Sequence, residues 1–437
     1  MTNTLPSELV RLTAVETALV LAVVGGPLLA KGVMVRRPWV VGVLHATGIE
    51  RSAVALLQRL RRRYGDGPVM LRLPGREQAV VLSPDHVRRV LAETPEPFET
   101  DSSEKHATLT HFEPKGSLIS RGTARAERRA LNDRALESNC PIHSLAPQFH
   151  NIIAEETAAL LQMSSETGEL GWGAFKDHWF RIARRCLFGD HAADDQALTD
   201  MLIRLRSAGN WAFLYPKRRT LRARFLSRVA AYLHVPAPGT LAERLAAYAT
   251  RRAAAEDQVG QWLFAFNAAG IATFRALAVL ASTDRFMERA RGDAVPGMPF
   301  LRASLLESVR LWPTTPAILR QSDRATGWNG NVMRKDTGVL IHTPFLHRDD
   351  ERLPFAHRFA PDAWLDGEPT IWPLIPFSAG PGQCPAKNLV LLLASNTLAA
   401  MLDRHRFVLP PSSRIDPDQL PATFDQFSLV LRVRLAN

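Results

Sequence analysis

Cys384 stands in the stretch Pro376-Phe377-Ser378-Ala379-Gly380-Pro381-Gly382-Gln383-Cys384-Pro385-Ala386, where an aromatic residue, two glycines and a cysteine lead into an apolar run that reads as a helix. A cysteine ligates metal as its thiolate, and a helix start favours that anion through free N–H groups and the positive end of the dipole. Pro385 fits the first helical position, where a missing N–H costs nothing. Gly380 and Gly382 let the backbone pass close to a flat cofactor, and Phe377 can pack against its face. The arrangement suits a thiolate bound to haem iron.

Upstream lie Glu307-Ser308-Val309-Arg310 and, directly after, Leu311-Trp312-Pro313-Thr314-Thr315-Pro316. Glu-x-x-Arg alone says little, because it occurs on many helices as an ordinary ion pair. Joined to Phe-x-x-Gly-x-x-x-Cys downstream, in this order and with these neighbours, it is specific. On these motifs the chain resembles the cytochrome P-450 family, the haem-thiolate monooxygenases, and its arginine- and alanine-rich composition is similar to the bacterial type. The resemblance implies a mainly α fold with a small β region, the cytochrome P-450 fold, with haem between a long central helix and the cysteine-loop helix. It implies haem b (iron protoporphyrin IX) with Cys384 as its axial thiolate and metal ligand. The implied reaction inserts one oxygen atom from dioxygen into a lipophilic small molecule of secondary metabolism, terpenoid, polyketide or fatty acid in kind. Electrons would come from a separate ferredoxin or flavodoxin with its reductase.

The same resemblance assigns the other site residues. In Ala268-Ala269-Gly270-Ile271-Ala272-Thr273, Ala269, Gly270 and Thr273 match the family's central-helix motif, but the acidic position is Ala272. A thiolate-ligated iron favours O–O cleavage, which also needs protons at the distal oxygen. A threonine hydroxyl can hold a water there, and an acid usually links that water to solvent. Thr273 would do the first, as the catalytic residue. Ala272 cannot do the second, so protons would come through ordered water, a substrate hydroxyl or a side chain such as Asn267. The plain alternative for Thr273 is a hydroxyl bonded to the preceding helical turn.

Arg128 matches the propionate-binding arginine of the family's Trp/His-x-x-x-Arg helix, with Ala124 in the aromatic place, Arg129 as the rival register and Arg125 as the earlier residue. Arg320 matches a second propionate partner, while the basic residue often found two before the cysteine is Gly382. Glu307 and Arg310 would form a buried pair that serves folding and haem retention. The arginine that joins them in the family falls on Ala363, leaving Arg358 or Arg352 as substitutes. Substrate contacts would come from the loop 96–120, the lid, Phe266, Ala269, Thr315 to Ile318 and Phe427. The departures at Ala272, Ala363, Ala124 and Gly382 keep two rivals open: haem-thiolate chemistry driven by peroxide or without oxygen (dehydration, isomerisation), and a catalytically degenerate haem-binding scaffold.

Composition narrows the class. The 437 residues are 46% hydrophobic, enough for one large core. The three cysteines, Cys140, Cys186 and Cys384, are too few and odd in number for a disulfide framework and point to a reducing compartment. Cys140 and Cys186 read as packing residues. A net charge of +11 raises nucleic-acid binding. The basic runs (Arg61-Arg62-Arg63, Lys217-Arg218-Arg219, Arg251-Arg252) are scattered and no binding motif accompanies them, so a solvated surface that docks an acidic redox protein is the better expectation.

Several elements must position these residues. Residues 1–45 read as an N-terminal apolar extension and 46–437 as the haem-thiolate catalytic domain. The apolar run Thr17 to Ala30, followed by Lys31, Arg36 and Arg37, admits three readings: an interfacial helix, a marginal transmembrane anchor, or a helix packed on the domain. Either membrane reading places residues 17–37 at a membrane surface and the enzyme on its cytoplasmic side. Helices are expected at Ala53–Tyr64 and after Ser83-Pro84, with paired strands at Val69–Leu73 and Ala79–Leu82. Glu96 to Ser120 reads as polar and irregular. Asp257 to Ser282 reads as the long buried central helix. Met201 to Leu233, with Trp211, Phe213 and Tyr215, falls at the family's lid.

Overall fold

The computed structural model describes residues 7–250, 252–293, 297–365 and 372–436. Arg251 of the third basic run lies outside the described residues. Helices dominate, and the largest core cluster forms where the central helix Ala255–Leu280 meets Trp172–Phe188, Pro299–Leu311 and Lys387–Asp403, with Ala146–Thr167 packed on the first and last of these three. The central helix is apolar on nearly every side, which is the pattern of a helix enclosed by others. Glu256 and Asp257 occupy its first turn, where they complement the dipole. Asp257 accepts the Lys115 N–H at 2.9 Å, and Gln258 accepts from Ser117 N–H and donates to the Lys115 carbonyl. The loop 96–120 is thereby clamped to the start of the central helix. That loop is more ordered than its polarity foretold: it holds the strand Phe98–Glu99, the helix Ser103–Leu109 and a 3-10 turn Ser117–Ile119.

A five-stranded sheet forms a second core with the helices Glu50–Tyr64 and Pro84–Ala92. Its order is Val69–Met70, Gln78–Val80, Gly338–His342, Ala317–Ser322, Phe98–Glu99. Only the Gln78–Val80 and Gly338–His342 pair is parallel. Along Ala317–Ser322 burial alternates, with Ile318, Arg320 and Ser322 on the covered face. The period of two therefore sends Arg320 into the molecule.

Residues from the extension belong to this second core. A capping box of Thr13 and Glu16 starts a helix that runs from Ala14 to Lys31 through a π-turn at Leu21–Gly25. Val20 and Val24 are buried, and Glu16 also accepts from Tyr64 Oη at 2.7 Å and Arg63 at 3.0 Å. Lys31 at the far end pairs with Glu50. Asn210, just beyond the lid helix Gln196–Gly209, accepts from Met34 and Val35 N–H and donates to the Val35 carbonyl, which ties the extension to the lid. Ala14–Lys31 and Ala255–Leu280 are both long and apolar enough to cross a membrane, but the second is 78% buried in the protein and the first only 28%.

Candidate active site

The cysteine loop is a set of tight turns. Gln383 N–H donates to the Gly380 carbonyl at 2.9 Å, and Cys384 N–H to the Phe377 carbonyl at 3.0 Å. The helix that follows begins at Lys387, so Pro385 lies in a turn ahead of it rather than at the first helical position. Burial pushes the Cys384 thiol up, while the Ala386 N–H and the charge of Arg129 pull it down. Cys384 and Phe377 pack against the core cluster that contains Phe266 and Ala269, yet the cysteine is only half-buried. Cys140 is exposed, not packed; Cys186 is buried, with its thiol pushed up by that burial.

The two loop glycines have different causes. Gly380 has φ +64°, and a Cβ there would run into the Leu91 carbonyl at the end of Pro84–Ala92. Its small size is set by the turn and by that helix, without recourse to a cofactor. A Cβ at Gly382 would stand 2.6 Å from Arg320 Nη2. The guanidinium of Arg320 thus occupies the place that a basic side chain at 382 would take.

Arg320 is one of three cations gathered here; it and Arg125 are buried, and Lys105 is half-buried. Its Nε donates to Thr94 Oγ1 at 3.1 Å and its Nη1 to the Leu319 carbonyl at 2.9 Å. Lys105 Nζ donates to the carbonyls of Thr100 and Leu319, and Arg125 to Thr100 Oγ1 and, at 3.5 Å, to the Pro381 carbonyl. Among the described residues none of the three has a carboxylate at ion-pair distance. Burial, then the charge of Arg125, pushes Arg320 down to about 10. Burial, then the charge of Arg320, presses Lys105 well below its usual value. Arg129 donates to the Gln383 carbonyl at 2.7 Å. Arg128 donates from Nη1 to Ser120 Oγ at 2.5 Å, and its Nε is buried without a hydrogen-bond partner. Arg125 and Arg129, one helical turn apart, are the residues of this helix that donate to carbonyls of the cysteine loop. Lys105 was missed because a lone lysine in a polar loop carries no sequence signal.

On the central helix, Thr273 Oγ1 donates to the Ala269 carbonyl at 2.8 Å. Ala272 is buried and its carbonyl accepts from Ser308 Oγ at 2.9 Å. Gly270 does not face the cysteine loop's cations: a Cβ there would lie 2.6 Å from the Trp179 indole, which donates to the Phe266 carbonyl at 2.7 Å. Its small size serves helix packing. Asn267 lies with Ala268, Ile271 and Arg275 along a cavity. At about 100° per residue these four sit on the side of the helix away from Thr273, so Asn267 is misplaced as a proton donor to it. Phe427 and Pro316 line the same cavity, whereas Phe266 and Ala269 belong to the other side.

Glu307 and Arg310 form an ion pair at 2.6 Å with both side chains fully buried. Among the described residues no further arginine side chain completes it. Glu307 instead accepts from Ala360 N–H and from Trp364 Nε1, each at 2.8 Å. Arg358 contributes only its carbonyl, to Arg310, and Arg352 pairs with Asp66 and Asp349. Trp364 stands one place after Ala363, where the arginine was expected, and its indole N–H supplies the donor.

A haem brings two carboxylates at one edge and an iron that takes a thiolate. Arg125 and Arg320 at the cysteine loop, with Lys105 next to Arg320 and a half-buried cysteine between helices, complement both, so the donor set fits that group.

Comparison with known proteins is consistent with this geometry. Residues 281–430 match the family model described as Cytochrome P450. The mitochondrial 1,25-dihydroxyvitamin D(3) 24-hydroxylase of Mus musculus is 29% identical over 128 residues, covering 29% of this chain and 25% of that protein. The probable cytochrome P450 4ac1 of Drosophila melanogaster is 34% identical, covering 27% of this chain and 23% of its own. The matches thus span about a quarter of those relatives' length. The solved structure of retinoic acid-bound cyanobacterial CYP120A1 superposes with a TM-score of 0.71 at 16% identity, covering 87% of this chain and 94% of that one, which shows the shared fold.

Proposed function

From the match of residues 281–430 to the cytochrome P450 family model and the fold shared with a solved member, we propose that the chain is a haem-thiolate monooxygenase that inserts one oxygen atom from dioxygen into a lipophilic organic molecule. The family's group is haem b on a cysteine thiolate. Cys384 would hold its iron, Arg320, Arg125 and Lys105 its propionates, and Phe377 and Ala269 would lie against it. When bound, it supplies dioxygen activation at a thiolate-ligated metal. What supports the reading most is the convergence of the buried Arg125 and Arg320, with Lys105 beside them, next to the loop that presents Cys384.

The chain's own contributions follow from its contacts. The Ala386 N–H and Arg129 favour the sulfur anion against the burial that opposes it. Thr273 uses its proton on the Ala269 carbonyl, which leaves its oxygen free to accept from a water or a substrate hydroxyl. Ala272 offers no proton, so water or the substrate must carry it. Electrons come from an acidic carrier of the ferredoxin or flavodoxin class, drawn by a net charge of +11. Residues 46–437 form the catalytic unit, and the extension adds a membrane-contacting face on its cytoplasmic side. Val15, Leu29 and Trp39 of the extension and Phe213 and Leu214 of the lid are exposed, and Arg37 stacks over Trp211 at 5.1 Å to join the two regions.

Ala272 favours a second reading, peroxide-driven or non-oxygenase chemistry at the same group. Product formation with dioxygen and a reductase system, against peroxide alone, separates the two. The founding test is the carbon monoxide difference spectrum of the reduced protein. A Soret band shifted strongly to the red is expected, and Cys384→Ala should abolish it. A normally placed band, or no haem uptake, would overturn the proposal.

A further inference from the structure

The N-terminal extension reaches the lid through a short strap, residues 32–37, which joins the helix Ala14–Lys31 to the helix Pro38–Thr47. Both flanking helices are fixed to the body of the protein. Lys31 pairs with Glu50, and His45 Nδ1 lies 2.8 Å from the Thr423 carbonyl. The strap itself is irregular, and it is half-buried from Val33 to Arg37. An irregular segment must find partners for its backbone outside itself. At the centre of this strap two lid side chains supply all of them. Asn210 Oδ1 accepts the Met34 N–H at 2.7 Å and the Val35 N–H at 3.2 Å, and Asn210 Nδ2 donates to the Val35 carbonyl at 2.8 Å. Arg206, one turn earlier on the lid helix, donates to the Met34 carbonyl at 2.6 Å. Every backbone polar group of Met34 and Val35 is therefore paired with the lid.

Shape supports the same pairing. Gly32 opens the strap at φ +89°, and a Cβ there would run into the Val35 carbonyl and stand 3.0 Å from Asn210 Nδ2. At Gly209, the last residue of the lid helix, a Cβ would stand 3.0 Å from the Thr108 carbonyl oxygen and 3.6 Å from Met34 Cγ. The end of the lid helix is thus packed between the strap and the helix Ser103–Leu109. Arg37 adds a further tie: its guanidinium lies 5.1 Å over the Trp211 ring, while its Nη1 donates to the carbonyls of Leu29 and Ala30. On its other side the strap holds the segment after Arg310, because Arg36 donates to the carbonyls of Gly32 and Thr314.

These contacts differ from those of the core. Polar groups in a half-buried strap can take water as a partner when the lid lifts, so parting the two exchanges bonds rather than abandoning them. Elements held in this way open locally, at a free energy below that of global unfolding. We propose that residues 32–37 are a latch for the lid: Asn210 and Arg206 hold the lid helix on the strap, and release of the strap and opening of the lid are one coupled event. Coupling is reciprocal, so a change in the extension is felt in the lid as strongly as the reverse. The lid then answers to the N-terminal extension, a segment distant in sequence, and not only to what lies beneath it. Neither haem nor substrate enters this coupling.

Hydrogen exchange of the full-length protein, followed by mass spectrometry of peptides from the strap and the lid helix, tests it. Gly32→Ala disturbs the strap without changing a lid residue. Amides of Gln196–Gly209 should then exchange at least ~10-fold faster, since several hydrogen bonds of modest net worth are lost together. Asn210→Ala disturbs the latch from the lid side, and the strap and the lid helix should both exchange faster. The double variant should gain little over either single one, because one latch can be lost only once. Peptides of the central helix should stay unchanged in all three and report an intact fold. An unchanged lid in folded Gly32→Ala protein would overturn the proposal. So would Asn210→Ala protein in which the strap alone is freed, or a double variant whose acceleration is the product of the two single ones. Should Gly32→Ala not fold, Arg36→Gln takes its place with the same expectation, since it removes the tie to Thr314 and spares the lid contacts.

Discussion

Two buried charge clusters in this protein are built on opposite principles. At Glu307 and Arg310 every charge is answered. Glu307 accepts from Arg310, Ala360 N–H and Trp364, and Arg310 donates onward to the carbonyls of His347, Phe355, Ala356 and Arg358. At Lys105, Arg125 and Arg320 the carbonyls and hydroxyls satisfy donors, but among the described residues no carboxylate lies at ion-pair distance. The first cluster is complete as it stands and belongs to the architecture. The second holds excess charge that only an incoming anion can cancel, which is the signature expected of a binding site.

Breaking the complete cluster should have the largest effect. Glu307→Gln leaves Arg310 buried without its countercharge, and loss of one partner of a buried pair costs about 3–5 kcal/mol. Urea unfolding should show a midpoint far below that of the native protein, with or without added haem. A change within measurement error would mean that the carbonyls around Arg310 suffice.

The incomplete cluster should respond differently. Arg320→Ala removes one of three mutually repelling cations, so the haem-free protein should be no less stable while haem is retained more weakly. Gly382→Arg alone must displace the Arg320 guanidinium, since a Cβ there would stand 2.6 Å from Nη2, and it adds a like charge beside it, so the haem-free protein should be less stable. Combined with Arg320→Ala, it returns the cation to the same place from the opposite strand of chain, and haem retention should recover. Haem loss to an apo-globin acceptor measures this. Failure of the double variant to recover would show that Arg320 acts through its bonds to Thr94 and the sheet rather than through charge.

The contrast also explains what could be read from the chain. The central helix was expected from Asp257 to Ser282 and runs from Ala255 to Leu280, because an apolar stretch with acids at its start has one outcome. The Glu307–Arg310 pair was legible because both partners lie on one helix, three residues apart. What escaped depends on partners distant in sequence. Arg320 and Gly382 explain each other only once strand and loop meet. Trp179 explains Gly270, and Trp364 stands in for an arginine that sequence alone could only report as missing. The choice between Arg128 and Arg129 is a matter of helix phase, fixed by whichever neighbour the helix packs against. The strap on the lid needed the extension and the lid assembled together.

The smallest effect concerns protons in the complete cluster. His347 accepts the Ile375 N–H at Nε2 and lies against the Arg310 carbonyl through Nδ1. Burial, then the charge of Arg310, pushes it down to about 3, and burial pushes the neighbouring His342 down to about 4. Unfolded, both return to about 6.5. Between those values the unfolded chain binds protons that the folded protein refuses, so acidification below pH ~6.5 favours unfolding, by at most about 1.4 kcal/mol per pH unit for each histidine. The stabilising difference is fully present above pH ~6.5 and fades as the pH falls toward the folded values. Urea midpoints at pH 7.5, 6 and 5 should fall in that order, and His347→Gln should start lower at pH 7.5 yet lose less on acidification. A variant that kept the full acid slope would place the responsible protons elsewhere. The completeness of the Glu307 cluster would then owe nothing to a neutral His347.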